Sequence, residues 1–172
     1  MATNTVILPV DSPIFSTNSG SYLDILGPFE PARIDAGSPS RPVLFATDSS
    51  QAVAYRFRMP SDYASGPVAI MQYSMASATS GVIDPQFYCM KVSSGSANPD
   101  IPSFATVNKT NSGQTVPVSA GNMDELSITL ANDDSLAAKD YFVLAMVRVH
   151  DGNDTAAGDM KLHTLSLEYT TA

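Results

Sequence analysis

YRFRMPSDYASGPVAIMQYSMASATS, residues 55–80, decides the fold class. Tyr55, Phe57 and Met59 alternate with Arg56 and Arg58, the period-two pattern of a strand with one buried face. Pro60 has no N–H for a ladder and stops this strand, and Gly66-Pro67 restarts the chain. From Val68 to Ala76 the residues are mostly apolar on both faces, as in a strand deep inside a sandwich. The segment therefore reads as two strands joined by a Pro- and Gly-marked loop, and it contains no reaction centre.

The pattern continues on the C-terminal side. Strands are expected at Val43 to Thr47, Ala52 to Met59, Val68 to Ala76 and Val82 to Val92, the last interrupted at Asp84-Pro85. A loop-rich stretch follows from Ser93 to Gln114, with weak strands at Phe104 to Val107 and Thr115 to Val118. Then come Glu125 to Leu130, Tyr141 to His150 and Lys161 to Thr170. Leu126, Ile128 and Leu130 point one way, Ser127 and Thr129 the other, whereas Tyr141 to Val149 is apolar on both sides and belongs centrally in a sheet. On the final strand Leu165, Leu167 and Tyr169 are expected to share a face with Lys161 and His163, with Ser166 and Glu168 outward. Residues 133–139 form the only plausible helical turn, capped by Asp or Ser. Many short strands separated by Gly, Pro, Asn and Asp predict an all-β chain: an antiparallel β-sandwich of jelly-roll type.

Upstream the character changes. Six of the twelve prolines (Pro9, Pro13, Pro28, Pro31, Pro39, Pro42) fall in the first 42 residues, around short apolar pieces. Such spacing forbids a long helix and predicts a Pro-rich extended N-terminal arm over 1–42, followed by a sandwich domain over 43–172. The arm either wraps its own domain or lies across a neighbouring subunit. In the second case Val6, Ile7, Leu8, Tyr22, Leu23 and Ile25 are the candidate intersubunit strands or apolar anchors, and Arg33 and Arg41 the cations for carboxylates on the partner.

Charge and chemistry narrow the function. Charged residues make up 15% of the 172 and the formal net charge is −8, which opposes binding to nucleic acid. No run approaches the about 18 apolar residues of a membrane span, and the start lacks a secretory leader, so synthesis and folding in a cytoplasm are expected. Cys89, the one cysteine, is expected to be a buried thiol. Asp151, Asn153, Asp154 and Asp159 are hard oxygen ligands that could gather around calcium, but they lack EF-hand spacing and are also preferred turn residues. His150 and His163 complete no zinc site, and no nucleophile elbow, phosphate loop or dinucleotide fingerprint occurs. The expectation is a protein with no catalytic residues, cofactor or metal.

MPSDYASGPVAIMQYSMASATSG, the later SITLANDDSLAAKDYFVLAMVRVHDGNDTAAGD, and the ending LSLEYT together resemble a jelly-roll protein family found among structural genes of tailed bacteriophages. The resemblance spans about two-thirds of the chain, from near Ala52 to Tyr169, and departs from the pattern in the absence of tryptophan. It implies a virion component made in the host bacterial cytoplasm, most like a capsid cement or decoration protein. Such a protein sits on the capsid surface as a homotrimer and clamps neighbouring major capsid proteins, with avidity from several weak contacts. The alternative is a host- or glycan-binding module of a tail fibre or baseplate, using exposed aromatics such as Tyr63 or Tyr22 to stack on sugar rings.

Overall fold

Strands whose apolar residues alternate can bury one face, and strands apolar on both sides can be covered twice; both kinds are present and each finds its place. The computed structural model describes residues 2–8, 29–93, 95, 103–110 and 112–172. Among them lie β1 (Thr3–Leu8), β2 (Glu30–Pro31), β3 (Arg33–Ile34), β4 (Val43–Phe45), β5 (Gln51–Arg58), β6 (Tyr63–Met75), β7 (Val82–Ile83), β8 (Pro85–Val92), β9 (Asn108–Lys109), β10 (Gln114–Thr115), β11 (Asp124–Thr129), β12 (Tyr141–Arg148) and β13 (Met160–Thr171). The larger sheet runs β11-β6-β13-β4-β3, with β1 also paired to β13; the second runs β2-β5-β12-β8-β9; β7 and β10 form a separate short ribbon. All pairings among these strands are antiparallel except β2 with β5. The chain is thus an all-β sandwich, as its periodicity predicts.

The core lies between the two sheets. Met71, Tyr73, Leu165 and Leu167 from the larger sheet meet Val53, Phe87, Phe142, Leu144 and Met146 from the smaller, all fully buried. Each such side chain contributes roughly 1.5–3 kcal/mol by leaving water. Cys89 sits in this core, where burial pushes its thiol well above the ordinary range, with Asp133 and Asp134 adding to the effect. The smaller sheet is buried on its other face too. Ala52, Ala54, Met90, Val143, Ala145 and Val147 form a second cluster with Phe29, Tyr88 and Phe104 packed against it. That is the two-sided apolarity visible in residues 141–149. Arg56 and Arg58 are exposed at the polar end of β5, as the alternation predicts.

Several local expectations change. β6 does not restart at Gly66-Pro67 but runs unbroken from Tyr63, because a bulge absorbs the Gly-Pro: Glu168 pairs Val68 while Thr170 pairs Ser65. Gly66 adopts φ +67 there, a conformation suited to glycine. A second bulge lies between Leu162 and Thr164. Its extra residue, His163, shifts the side-chain phase, so Met160 and Leu162 point inward with Leu165, Leu167 and Tyr169. Lys161 and His163 therefore face outward with Ser166 and Glu168, the opposite of the unbulged pattern.

No helix occurs among the described residues. In place of one, 133–139 is a loop with positive φ at Asp134, Ser135 and Lys139, stabilised by Asp133 accepting the Ser135 N–H and Asp134 accepting the Lys91 N–H. The weak strands placed at 104–107 and 115–118 are displaced to Asn108–Lys109 and Gln114–Thr115.

Parts of the Pro-rich N-terminal region join the sheets. β1 pairs six residues in register with β13, β2 pairs with β5, and β3 with β4. The Asp62 carboxylate fixes the start of β1, accepting hydrogen bonds from Asn4 Nδ2 (3.3 Å) and from the Tyr169 hydroxyl (3.0 Å).

Candidate functional site

The acidic loop following β12 is organised by a cation from within the chain. Register with β5 and β8 turns Arg148, the last residue of β12, toward the inside of the sandwich, where it is 1% exposed. Its Nε and Nη2 donate to the two carboxylate oxygens of Asp154 at 2.7 and 3.0 Å. Nη2 also donates to the Ala156 carbonyl (3.0 Å), and Nη1 to the carbonyls of Gly158 (2.8 Å) and Phe45 (3.5 Å). This fork-on-fork ion pair satisfies a guanidinium that could not otherwise be buried. Asp159 accepts the Thr47 N–H, and Asp151 accepts the N–H of Asn153 within its own turn. Of the carboxylates that suggested calcium, Asp154 is engaged by the arginine and Asp151 and Asp159 each accept a backbone N–H, and no group of three or more His, Cys, Asp or Glu side chains placed to hold a metal occurs among the described residues.

The same loop docks on residues 76–82. The Val82 carbonyl accepts the N–H groups of Thr155 and Ala156, the Val82 N–H donates to the Thr155 hydroxyl, and the Ala76 N–H donates to the Asp159 carbonyl. The approach is close enough that a Cβ on Gly81 would meet Ala156 and the Thr155 carbonyl at 2.9 Å.

A concave surface lies elsewhere, on the outer face of the larger sheet. Three cross-strand rows build it. Glu125, Gln72 and Thr164 form the first; Ser127, Ile70, Ser166 and Ile7 the second; Thr129, Val68, Glu168 and Thr5 the third. Between them is an open depression of about 330 Å³, lined by Thr5, Ile7, Ile70, Gln72, Glu125, Thr164, Ser166 and Glu168. That volume sits at the small end of ligand-binding clefts, about 300–1,000 Å³. Gln72 is held in the row at one end of the depression: the Thr164 hydroxyl donates to its Oε1 (3.0 Å), and its Nε2 donates to Glu125 (3.2 Å).

The lining residues offer hydroxyls, an oriented amide, two carboxylates and two isoleucines, with no aromatic ring and no cation among them. Just beyond the depression, His163 shares a 2.9 Å hydrogen bond with the Ser74 hydroxyl, and Lys161 pairs with Asp35 at 3.0 Å. Burial, and secondarily the Lys161 charge, lower the His163 pKa below its ordinary value.

The residues singled out from sequence fall in different places. Val6 packs against the core and Leu8 is buried in it, whereas Ile7 is 76% exposed and borders the depression. Tyr22, Leu23 and Ile25 lie outside the described residues. Arg33 is exposed and lines a separate polar hollow with Glu30, Asp48 and Ser49; Arg41 is exposed in a turn at φ +45. Tyr63 cannot stack on a sugar. It is buried, its hydroxyl donates to Asp133, and its ring packs on Tyr169 with centroids 5.6 Å apart. Gln72, Glu125 and Thr164 carry no sequence signal beyond strand alternation, because they converge only once three distant segments are in register.

No protein-family model and no curated protein sequence matches the chain. Among solved structures it is similar to the C-terminal CBM6 of LamC, a marine laminarinase from Zobellia galactanivorans, at 11% identity and TM-score 0.40, covering 97% of this chain and 100% of that one. The K3 cleaved adhesin domain of Lys-gingipain from Porphyromonas gingivalis matches at 9% identity and TM-score 0.41, covering 97% and 99%. The CBM22-1 xylan-binding domain of Xyn10C from Paenibacillus barcinonensis matches at 11% and 0.35, covering 75% and 86%. Likeness at this level does not extend to ligands or site residues. The phage-virion resemblance read from the sequence gains no support from these matches.

Proposed function

We propose that the chain is a non-catalytic binding module that takes a neutral saccharide on the outer face of its larger sheet. The observation that supports this most is the depression bordered by Gln72, whose amide is oriented by Thr164 and Glu125. A sugar ring presents hydroxyls around its rim and C–H groups on its faces. Hydroxyl, amide and carboxylate groups at the rim of the depression meet the first, and Ile70 and Ile7 the second. Both ionisable groups in the lining are carboxylates, which favours neutral over sulfated or uronic-acid chains. The surface is open and its lining lacks a stacking ring, so the affinity expected is modest, with each hydrogen bond contributing about 0.5–1.5 kcal/mol.

Affinity electrophoresis and calorimetry against a panel of neutral and anionic polysaccharides test this. At least one neutral chain should retard the protein, and Gln72→Ala should weaken that binding by about 1 kcal/mol, roughly fivefold. Binding that survives both Gln72→Ala and Glu125→Ala unchanged would remove the depression from consideration.

A second reading, the capsid cement, is favoured by one specific feature. Ile7 stands 76% exposed on an uncharged edge strand, a suitable anchor for a neighbouring subunit. On that reading the partner is a major capsid protein, the assembly a homotrimer and the location the virion surface. Saturable binding to empty expanded capsids, with a rise in their melting temperature, is its distinguishing result.

A further inference from the structure

We infer that the outer edge of β1 pairs with the same edge of a second copy of this chain, joining two larger sheets into one continuous sheet. The inference stands apart from the saccharide reading. An exposed strand edge is a template for pairing, and folded chains blunt their edges with charge, proline, bulges or shortness. The other edges here show those devices. β11 begins Asp124-Glu125, β2 is Glu30–Pro31, β3 carries Arg33, and β9 carries Lys109, the last three being two residues long. β1 shows none of them. Its sequence TNTVIL is uncharged and free of proline, four of its six residues are β-branched, and it pairs without irregularity along its whole length with β13. Among the described residues nothing pairs with its other side.

β1 is also held ready. Leu8 is buried at one end, while at the other Asn4 is tied to Asp62 and the Ala2 carbonyl accepts both the N–H and the hydroxyl of Thr171. The stretch from Thr3 to Ile7 needs no ordering before a partner docks.

A second copy is the occupant this edge fits. Each copy carries a net charge of −8, so two copies meet with least repulsion along an uncharged strand. Antiparallel pairing about a two-fold axis is self-complementary, since the same strand supplies both sides. An axis perpendicular to the sheet keeps each outer face outward, so Thr5 of one copy faces Ile7 of the other. The two Gln72 depressions, each bordered by Thr5 and Ile7, then lie side by side on one surface, which would make the dimer bivalent.

Sedimentation equilibrium and light scattering on the full chain test this. The expected species has twice the 18.2 kDa chain mass, forming with a dissociation constant of about 1–100 μM, since one six-residue strand pair falls below the ~1,200 Å² of a stable interface. Ile7→Lys places two like charges beside the axis and should weaken the dimer at least about tenfold; Thr5→Lys, on the same outward face, should do the same. Circular dichroism establishes that each variant is folded, and either folded variant suffices. A wild-type chain that stays monomeric throughout this range overturns the inference. So does a dimer or trimer whose stability is indifferent to the charge substitutions.

Discussion

Replacing Asp154 by asparagine should be among the most damaging single-atom changes available to this protein. Arg148 and Asp154 are each about 1% exposed at the side chain, and the two bonds between them are 2.7 and 3.0 Å. The substituted amide would keep the volume, remove the countercharge and turn an N–H toward a guanidinium N–H. The remaining acceptors around Arg148 are the carbonyls of Phe45, Ala156 and Gly158, which carry dipoles and no charge. Breaking a buried ion pair from one side costs about 3–5 kcal/mol, because the surviving charge is stranded away from water. For a domain of 172 residues that loss corresponds to a fall in Tm of roughly 8–14 °C. Thermal and urea unfolding followed by circular dichroism supply the measurement. The double variant Arg148→Met with Asp154→Leu provides the control. It strands no charge and forfeits only the donors to three carbonyls, so it should be less destabilised than Asp154→Asn alone. A loss below about 1 kcal/mol for Asp154→Asn, or a double variant worse than the single, would refute the assignment of Arg148 as the internal cation of this loop.

Other outcomes follow from the same geometry. Gly158→Ala should cost roughly 1–3 kcal/mol in urea unfolding, since Gly158 has φ +124 and a Cβ there would run into Ser77 Oγ; an unchanged midpoint would disprove that close approach. Millimolar calcium or a chelator should leave Tm unchanged, because Asp151, Asp154 and Asp159 are already engaged. A thiol reagent should label Cys89 in denaturant and not in native buffer; rapid native labelling would contradict its burial. His163 has a folded pKa below its unfolded value, so the unfolded state binds more protons between the two. Its contribution to stability is present above pH 6.5 and is lost as pH falls through the lowered folded pKa; His163→Gln should flatten that part of the stability curve.

Period-two alternation locates most of the long strands, and the two-sided apolarity of residues 141–149 places that strand in the middle of its sheet, where the structure has it. What sequence cannot supply is phase and register. One extra residue at His163 reverses which of Lys161, Leu162 and His163 faces the core, and nothing in the string MKLHTLSLEY marks the bulge. Arg148 is the one charged residue in the otherwise apolar stretch 141–149, and pairing with β5 and β8 directs it inward. The Gln72 depression depends on alignment of residues 72, 125 and 164, contributed by three strands whose register is set by long-range pairing. Short-range patterns record which residues are apolar, and they do not record which distant residues become neighbours.

The turn residues within the strings that carry the phage-family resemblance serve the closure of the sandwich, and that bears on what a resemblance can transmit. In the Pro60-Ser61-Asp62-Tyr63 loop, Asp62 ties β1 to Tyr169, and Tyr63 packs on the same ring. The Ala78-Thr79-Ser80-Gly81 turn receives the loop that Arg148 organises, and Gly81 is required by the approach of Ala156. Asp154, Gly158 and Asp159 in the later string supply the carboxylate, the carbonyl and the backbone contacts of that junction. These turns thus close the sandwich, while the strings that contain them also carry Ile70, Gln72, Ser166 and Glu168 of the depression. A chain sharing only these turns would share those closing contacts, whatever its outward face carried. Gln72, Glu125 and Thr164 belong to none of these turns, and each can change without disturbing the core. Recognition of the framework therefore leaves the ligand open, and the outward rows of β6, β11 and β13 are where two proteins of this architecture would differ in function.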